Sequence, residues 1–561
     1  MPALLECVPN FSEGRDPEVI RQITARLQTV EGVALLQVDQ GHATNRTVVT
    51  FAGPPEAVIE AAFCGIQAAA ELIDMRRHSG EHPRMGATDV CPLVPISGIT
   101  LDEAAAWSRR LAERVGKELG IPVYLYEAAQ PDPARRNLAV IRAGEYEGLA
   151  EKMKRPEWRP DFGPGEFNPQ AGATVIGARD FLVAFNVNLN TTSTRRANAV
   201  AFDVREAGRP KREGDPVTGK PLTDAAGQPV IIPGTLKAVK AIGWYIPEYG
   251  VAQVSMNLTD ISVTPLHTAF EEVCRKAEER GMRVTGSELV GLVPLTSLLE
   301  AGRHFLRKQQ RSAGVSETEL LKIAIASLGL NELAPFKPEE RIIEYRLGQA
   351  GVRSLAELTL SAFTDETASE SAAPGGGSIA AAMGAFGAAL GTMVANLSAH
   401  KRGWDARWQE FSDWAESGQR LKAELLRLVD EDTRAFNRVM AALGLPKATP
   451  ADQVTRKATI AAANLEATKV PLRVMEVACQ AFPLIEAMAA NGNPASVSDA
   501  GVGALAARAA VRGAWLNVRI NLRGLDDAAV SSQMLKAGQA LVQQAEAAEA
   551  RILTIVEAKL K

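Results

Sequence analysis

At 561 residues, with 46% apolar and 23% charged residues, the chain has globular composition and length for about three domains of about 150 residues. A net charge of −4 from well-mixed acids and bases, with 5% aromatics, argues against a bulk nucleic-acid binder. It leaves room for a local basic patch that holds a small anion.

In chain order, the opening MPALLECVPNF has neither the basic start nor the long apolar stretch of a signal peptide. Strands are predicted at 33–39 (VALLQVD), 46–53 (RTVVTFAG) and 121–127 (IPVYLYE), and amphipathic helices at 55–73 and 101–120, with Gly120 as a C-cap. The pattern restarts with strands at 180–189 (DFLVAFNVNL) and 251–258 (VAQVSMNL) and a helix at 266–281. The Gly/Pro-rich, charged segment 208–234 reads as an exposed loop or small β-excursion. After residue 347 strand-like runs almost vanish and Ala/Leu/Arg/Glu stretches such as 408–443 and 531–560 predict a helical bundle. The Ala/Gly run 379–394 is short and weakly apolar for a membrane span and reads as a tightly packed helix. The fold expected is two α/β (α+β, ferredoxin-like) subdomains, 1–180 and 181–326, a linker at 327–345, and an all-α domain at 346–561. Five widely spaced cysteines without a CxxC argue against a disulfide framework and for a cytoplasmic chain.

Several clusters could carry chemistry. In HSGEHPRMGATDV (78–90), His78 and His82 are four apart, but Gly80 and Pro83 break the helix that a metal-binding pair needs, so no metal site is expected. His78 reads as a solvated loop histidine. The residues alone leave His82, with Arg84 and Asp89 close behind, between an acid–base catalyst and an ordinary loop residue. In VDQGHATNRTVVTF (38–51), Asp39 ends a strand and Arg46 opens the next. They suit either contacts to an amine and a carboxylate or plain hairpin chemistry. DFGPGEFNPQAG (161–172) is a junction loop that either lines a cleft or only links. SAAPGGGS (371–378) leads into a small-residue helix and could hold an anion or merely allow close packing. It lacks the ending of a P-loop. In LVDEDTRAF (428–436), one of Asp430, Glu431 and Asp432 could face the bundle interior with a raised pKa. Asn517 and Asn521 could share a helix face.

Taken together, ECVPNFSEGR (6–15), NRTVVTFAG (45–53), HPRMGATDVCP (82–92), IPVYLYE, RAGEYEGL (142–149), DFGP, QVSMNL and LVGLVPL (289–295) resemble, in order, the transferase half of the bifunctional formimidoyltransferase-cyclodeaminase family. ERIIEY (340–345) resembles its linker, and SAAPGGGS, LVDEDTRAF, VPL (470–472) and NVRINLR (517–523) its deaminase half. Segment 208–234 is longer than the family leads one to expect. The resemblance implies transfer of a formimino group from N-formimino-L-glutamate to tetrahydrofolate, then cyclisation to 5,10-methenyltetrahydrofolate with release of ammonia, a step of histidine degradation. It implies His82 as the acid–base group of the first step and Asp432 as the acid of the second. Asp39, Asn45, Arg46 and Arg84 become candidate substrate contacts. Gly163, Pro164, Gly165, Glu166, Phe167, Asn168, Pro169, Gln170, Ala171 and Gly172 match the folate-binding loop. Tetrahydrofolate, polyglutamylated in the family, is the implied co-substrate, with no metal. Small-molecule partners and a homo-oligomer, without nucleic acid or membrane span, complete the expectation. The alternative is a monofunctional glutamate formimidoyltransferase whose helical domain is an assembly module.

Overall fold

The first sheet begins with a strand interrupted in its middle, β1 (Leu4–Cys7) and β2 (Asn10–Phe11), followed by α1 (Pro17–Gln28). Asp16 caps α1 by accepting from the Glu18 amide, and Ile20, Ile23 and Leu27 form its buried stripe. The chain continues through β3 (Ala34–Gly41), β4 (Arg46–Gly53), α2 (Pro55–Leu72), β5 (Thr88–Ser97), α3 (Leu101–Arg114), β6 (Val123–Glu127), α4 (Leu138–Arg142), α5 (Glu145–Lys152) and β7 (Thr174–Ala178). A Thr100/Glu103 capping box starts α3, and Gly120, at φ 62°, ends the helical run that continues from it. β3, β4, β1 and β5 pair antiparallel in that order, the βαββαβ arrangement of a ferredoxin-like fold. β7 and β6 extend it in parallel beyond β5.

The same arrangement recurs. β8 (Val183–Leu189), α6 (Thr194–Val204), the small pair β9 (Arg209–Pro210) and β10 (Ile231–Ile232), β11 (Val239–Ile246), β12 (Val251–Leu258), α7 (Leu266–Glu278) and β13 (Val284–Val290) follow. Their four-stranded sheet has the order β11-β12-β8-β13, antiparallel throughout. The predicted excursion at 208–234 is thus a two-stranded outgrowth. Side chains alternate along β8: Phe185 packs toward Phe270 of α7, so Asn186 and Asn188 face the opposite side.

Next come α8 (Leu295–Lys308), α9 (Glu317–Leu328), α10 (Pro338–Arg341), α11 (Ile343–Gly348), α12 (Leu360–Thr367), α13 (Gly376–Ala399), α14 (Trp408–Leu443), α15 (Pro450–Asn491), α16 (Val497–Asn521) and α17 (Ala528–Leu560). This computed structural model describes residues 3–42, 44–80, 83–214, 219–348, 354–371, 373–525 and 527–561. By packing, the chain divides into two compact units, 1–300 with 328–351 and 301–327 with 352–561. In the second, α13 is long and apolar enough to cross a membrane by length and composition. Its small residues are instead spent on helix packing: Gly384 meets Leu425 and Ala510, Gly387 the Gly503 carbonyl, and Gly391 the side chains of Leu484 and Ile485.

One buried charge makes the first unit pH-sensitive. Glu6 on β1 is buried, and desolvation lifts its carboxyl to about 7, opposed by Arg179. A carboxyl raised in the fold costs nothing while both states are protonated. Its stabilisation is lost as pH climbs from the ordinary 4.5 toward 7. The loss expected is about 3 kcal/mol. Unfolding midpoints recorded from about pH 5 to about pH 8 should fall for the wild type and much less for Glu6→Gln.

Candidate active sites

In the first unit, the β3–β4 hairpin and the loop after α2 are tied together. Asn45, in a left-handed conformation at φ 48°, accepts from the Gly14 amide through Oδ1 and donates from Nδ2 to the Ser79 carbonyl. It is 6% exposed. Arg84 Nε donates to His78 Nδ1 at 3.2 Å, so the imidazole proton sits on Nε2, which lies 2.9 Å from the Asn45 carbonyl and donates to it. Burial lowers the His78 pKa, which suits this neutral form. His78 is therefore a half-buried strut and not the solvated loop residue expected from sequence. Spacing carries no sign of Asn45, 33 residues back, although Arg84 stands six residues on in the same motif.

Arg84 is also committed. Its guanidinium, 7% exposed, bonds Glu145 Oε2 at 3.1 Å and both Glu147 oxygens at 2.5 and 2.9 Å. These partners, all from the RAGEYEGL stretch, tether Arg84 to that segment. His82 lies outside the described residues. Asp39 is exposed on β3, and its charge acts on Arg46.

Arg46 lines a cavity of about 720 Å³. Burial pulls its pKa down to about 10, with Asp89 and Asp39 opposing. Arg142, Arg179 and Lys240 line the same cavity, against Glu127 and Asp180. Four cations to two acids line it, Arg142 among them paired with Asp89, a balance that suits an anionic molecule. Asn10, 4% exposed, lies in its wall with Oδ1 lacking a hydrogen-bond partner. An acceptor so buried suits a ligand N–H. Sequence reasoning missed Asn10, Arg142, Arg179 and Lys240, although Asn10 and Arg142 stand inside quoted motifs.

Asp89, 1% exposed, holds this wall together: it accepts from the Met85 amide at 3.0 Å and pairs with Arg142 through both oxygens. Burial raises its pKa and Arg142 opposes the rise. Arg142→Ala leaves that carboxylate without its principal partner and is expected to destabilise the first unit by about 3 kcal/mol. Urea unfolding checks this, with an unchanged midpoint as the contrary result.

The predicted folate loop is largely exposed from Gly163 to Glu166 and at Pro169 and Gln170. Phe167 packs on Tyr146 with ring centroids 5.4 Å apart, and the Tyr146 hydroxyl donates to the Pro169 carbonyl. Asn168 Oδ1 accepts from the Gln170 and Ala171 amides, and the Asn168 carbonyl accepts from the Gly172 amide. Ala171 and Gly172 are buried. Gly172 has φ +68°, and a Cβ there would lie 2.2 Å from the Met85 carbonyl oxygen, so this close crossing requires glycine. None of residues 163–172 is in the wall of the cation-lined cavity.

On the second sheet, the face away from α7 carries a relay whose middle members, Gln253 and Asn188, are buried. Trp244 Nε1 donates to Gln253 Oε1, Gln253 Nε2 to Asn188 Oδ1, and Asn188 Nδ2 to Glu332 Oε2. The alternation of FNVN and QVSMN is the sequence signal for it.

In the second unit, the acidic triplet on α14 divides by direction. Asp430 accepts from the Ser354 hydroxyl and the Leu355 amide, both at 2.6 Å. Glu431 pairs with Arg427, Arg434 and Arg438. Asp432 turns to the start of α13, where the Ser378 hydroxyl donates to its Oδ2 at 2.9 Å. Burial raises the Asp432 pKa, and the hydroxyl and amide of Ser378 pull the other way. Asn517 of α16 stands beside Gly376 on the same turn, whereas Asn521 donates to the Ala467 carbonyl.

A cation-lined cavity in one unit and a half-buried carboxyl of raised pKa in the other are two separate candidate sites, as in an enzyme with two parts. Comparison with known proteins narrows this class. Residues 4–179 match the model of the formiminotransferase domain, N-terminal subdomain; 184–348 match the formiminotransferase domain; and 359–540 match formiminotransferase-cyclodeaminase. A formimidoyltransferase-cyclodeaminase of Sus scrofa is 44% identical over 560 residues, 100% of both chains. A glutamate formimidoyltransferase of Streptococcus pyogenes serotype M1 is 40% identical over 55% of this chain and 94% of its own. A methenyltetrahydrofolate cyclohydrolase of Methylorubrum extorquens is 39% identical over 36% of this chain and 97% of its own. The chain belongs to the formimidoyltransferase-cyclodeaminase family.

Proposed function

We propose that this chain catalyses two successive steps. The formimino group passes from N-formimino-L-glutamate to N5 of tetrahydrofolate, and 5-formimidoyltetrahydrofolate then closes to 5,10-methenyltetrahydrofolate with release of ammonia. The end-to-end match to a bifunctional relative carries this reading. The match of 359–540 to a cyclodeaminase description favours it over a transferase with an inert assembly module.

In the first step the N5 amine attacks the formimino carbon, giving a tetrahedral carbon that bears three nitrogens. N5 loses a proton, the glutamate nitrogen gains one, and the bond to glutamate breaks. His82 is the group proposed to take and return that proton, since an imidazole titrates near neutrality. The bonds among Asn45, His78 and Arg84 tie together described residues that flank it in sequence. Arg46, with Arg142, Arg179 and Lys240 in the same cavity wall, suits the carboxylates of glutamate or of a polyglutamylated folate. Asp39, Asn45, Arg84 and the 163–172 loop are the remaining proposed contacts, the loop for folate. In the second step N10 attacks the same carbon. The departing imino nitrogen needs two protons to leave as ammonia: N10 supplies one, and Asp432 is proposed to supply the other.

A cytoplasmic homo-oligomer belongs to the same proposal. Five widely spaced cysteines without a CxxC and the exposed apolar side chains of Phe386, Met393 and Leu397 on α13 and Leu505, Leu516 and Ile520 on α16 support it. The transferase reading is tested by glutamate release from formiminoglutamate, which should require tetrahydrofolate. Release at the same rate without it contradicts the reading.

A further inference from the structure

We propose that Ser378 is a positioning residue for the deamination step, its hydroxyl holding the Asp432 carboxyl at the start of α13 in the orientation that hands a proton to the departing amino group. This rests on the role proposed for Asp432. Ser378 is fully buried, and besides its bond to Asp432 Oδ2 its Oγ lies 3.3 Å from Thr433 Oγ1. The residue before it is glycine for a steric reason: a Cβ on Gly377 would lie 2.3 Å from Asp432 Oδ1. The chain therefore clears space for this one carboxyl and supplies a hydroxyl aimed at it.

The neighbouring acids are engaged elsewhere, Asp430 with Ser354 and Leu355, and Glu431 with three arginines. Burial and Ser378 are the influences on Asp432 ionisation among the described residues, with no charged side chain of α13, α15 or α16 contributing. Burial favours the protonated acid, and the Ser378 hydroxyl, as a donor, favours the carboxylate. Removing the hydroxyl thus loosens the carboxyl and raises its pKa. Because the step needs the protonated acid, the basic limb of its pH profile moves upward.

The experiment is the pH profile of ammonia release from 5-formimidoyltetrahydrofolate by the full chain and its Ser378→Ala, Ser378→Thr, Gly377→Ala and Asp432→Asn variants. Formimino transfer by the same preparations reports on folding. Ser378→Ala should lower kcat about 10-fold and move the basic limb up by about one pH unit. Ser378→Thr keeps the hydroxyl and should restore the limb. Gly377→Ala pushes the carboxyl away without touching Ser378 and should lower ammonia release alone. A basic limb that stays in place in Ser378→Ala overturns the proposal whether or not kcat falls. If Ser378→Ala also loses transfer, Gly377→Ala decides, and unaltered ammonia release in it overturns the proposal. Full ammonia release by Asp432→Asn is the separate sign that the underlying reading has failed. An inactive Asp432→Asn beside an unmoved Ser378→Ala limb rejects the positioning role alone.

Discussion

His82→Ala is expected to slow formimino transfer by about 10²- to 10⁴-fold, the usual contribution of a positioned acid–base group. The collapse of the tetrahedral carbon is otherwise without a proton for the glutamate nitrogen. Added 5-formimidoyltetrahydrofolate should still lose ammonia at the wild-type rate, because Asp432 lies in the other unit. Glutamate release and ammonia release, measured on one preparation, check both statements. Full transfer activity in His82→Ala removes the histidine from the mechanism.

Asp432→Asn is expected to cut ammonia release by a comparable factor of about 10² to 10⁴ while transfer continues, so that 5-formimidoyltetrahydrofolate accumulates. Asparagine keeps the shape and an oxygen for the Ser378 hydroxyl, which makes the loss one of the proton and not of packing. The wild-type pH dependence follows from the same group. Burial raises the Asp432 pKa, so the active protonated form persists to higher pH than in an exposed aspartate and is lost as pH rises through that raised value. Unchanged ammonia release in Asp432→Asn would remove this carboxyl from the second step.

Much of this fold was legible because hydrophobic period and turn chemistry agreed locally. RTVVTFAG, VAQVSMNL and 408–443 form their elements over the predicted residues, and Gly120 takes the left-handed position expected of a C-cap. Pairing was not legible. The two ferredoxin-like subdomains were expected, but the extension of the first sheet in parallel by β7 and β6 is set by long-range hydrogen bonds that no local pattern encodes. α15 breaks a local rule outright, carrying Pro471 and Pro483 within one helix, with both flanks buried in the bundle core.

The sites divide in the same way. Motifs located the acidic triplet and the hairpin arginine, but not which carboxyl turns inward. Three consecutive acids on a helix point in three directions, and only the Gly377 clearance and Ser378 select Asp432. The pairing of Arg84 with Glu145 and Glu147, about sixty residues on, is invisible to spacing. The cavity cations Arg142, Arg179 and Lys240 come from three separate segments and meet only in the fold.

The most direct measurement follows glutamate, ammonia and 5,10-methenyltetrahydrofolate together, with the full chain supplied only with formiminoglutamate and tetrahydrofolate. Two active sites predict that all three appear in equimolar amounts. Glutamate released without ammonia or the methenyl product would contradict a bifunctional chain and leave a transferase with an inert helical half.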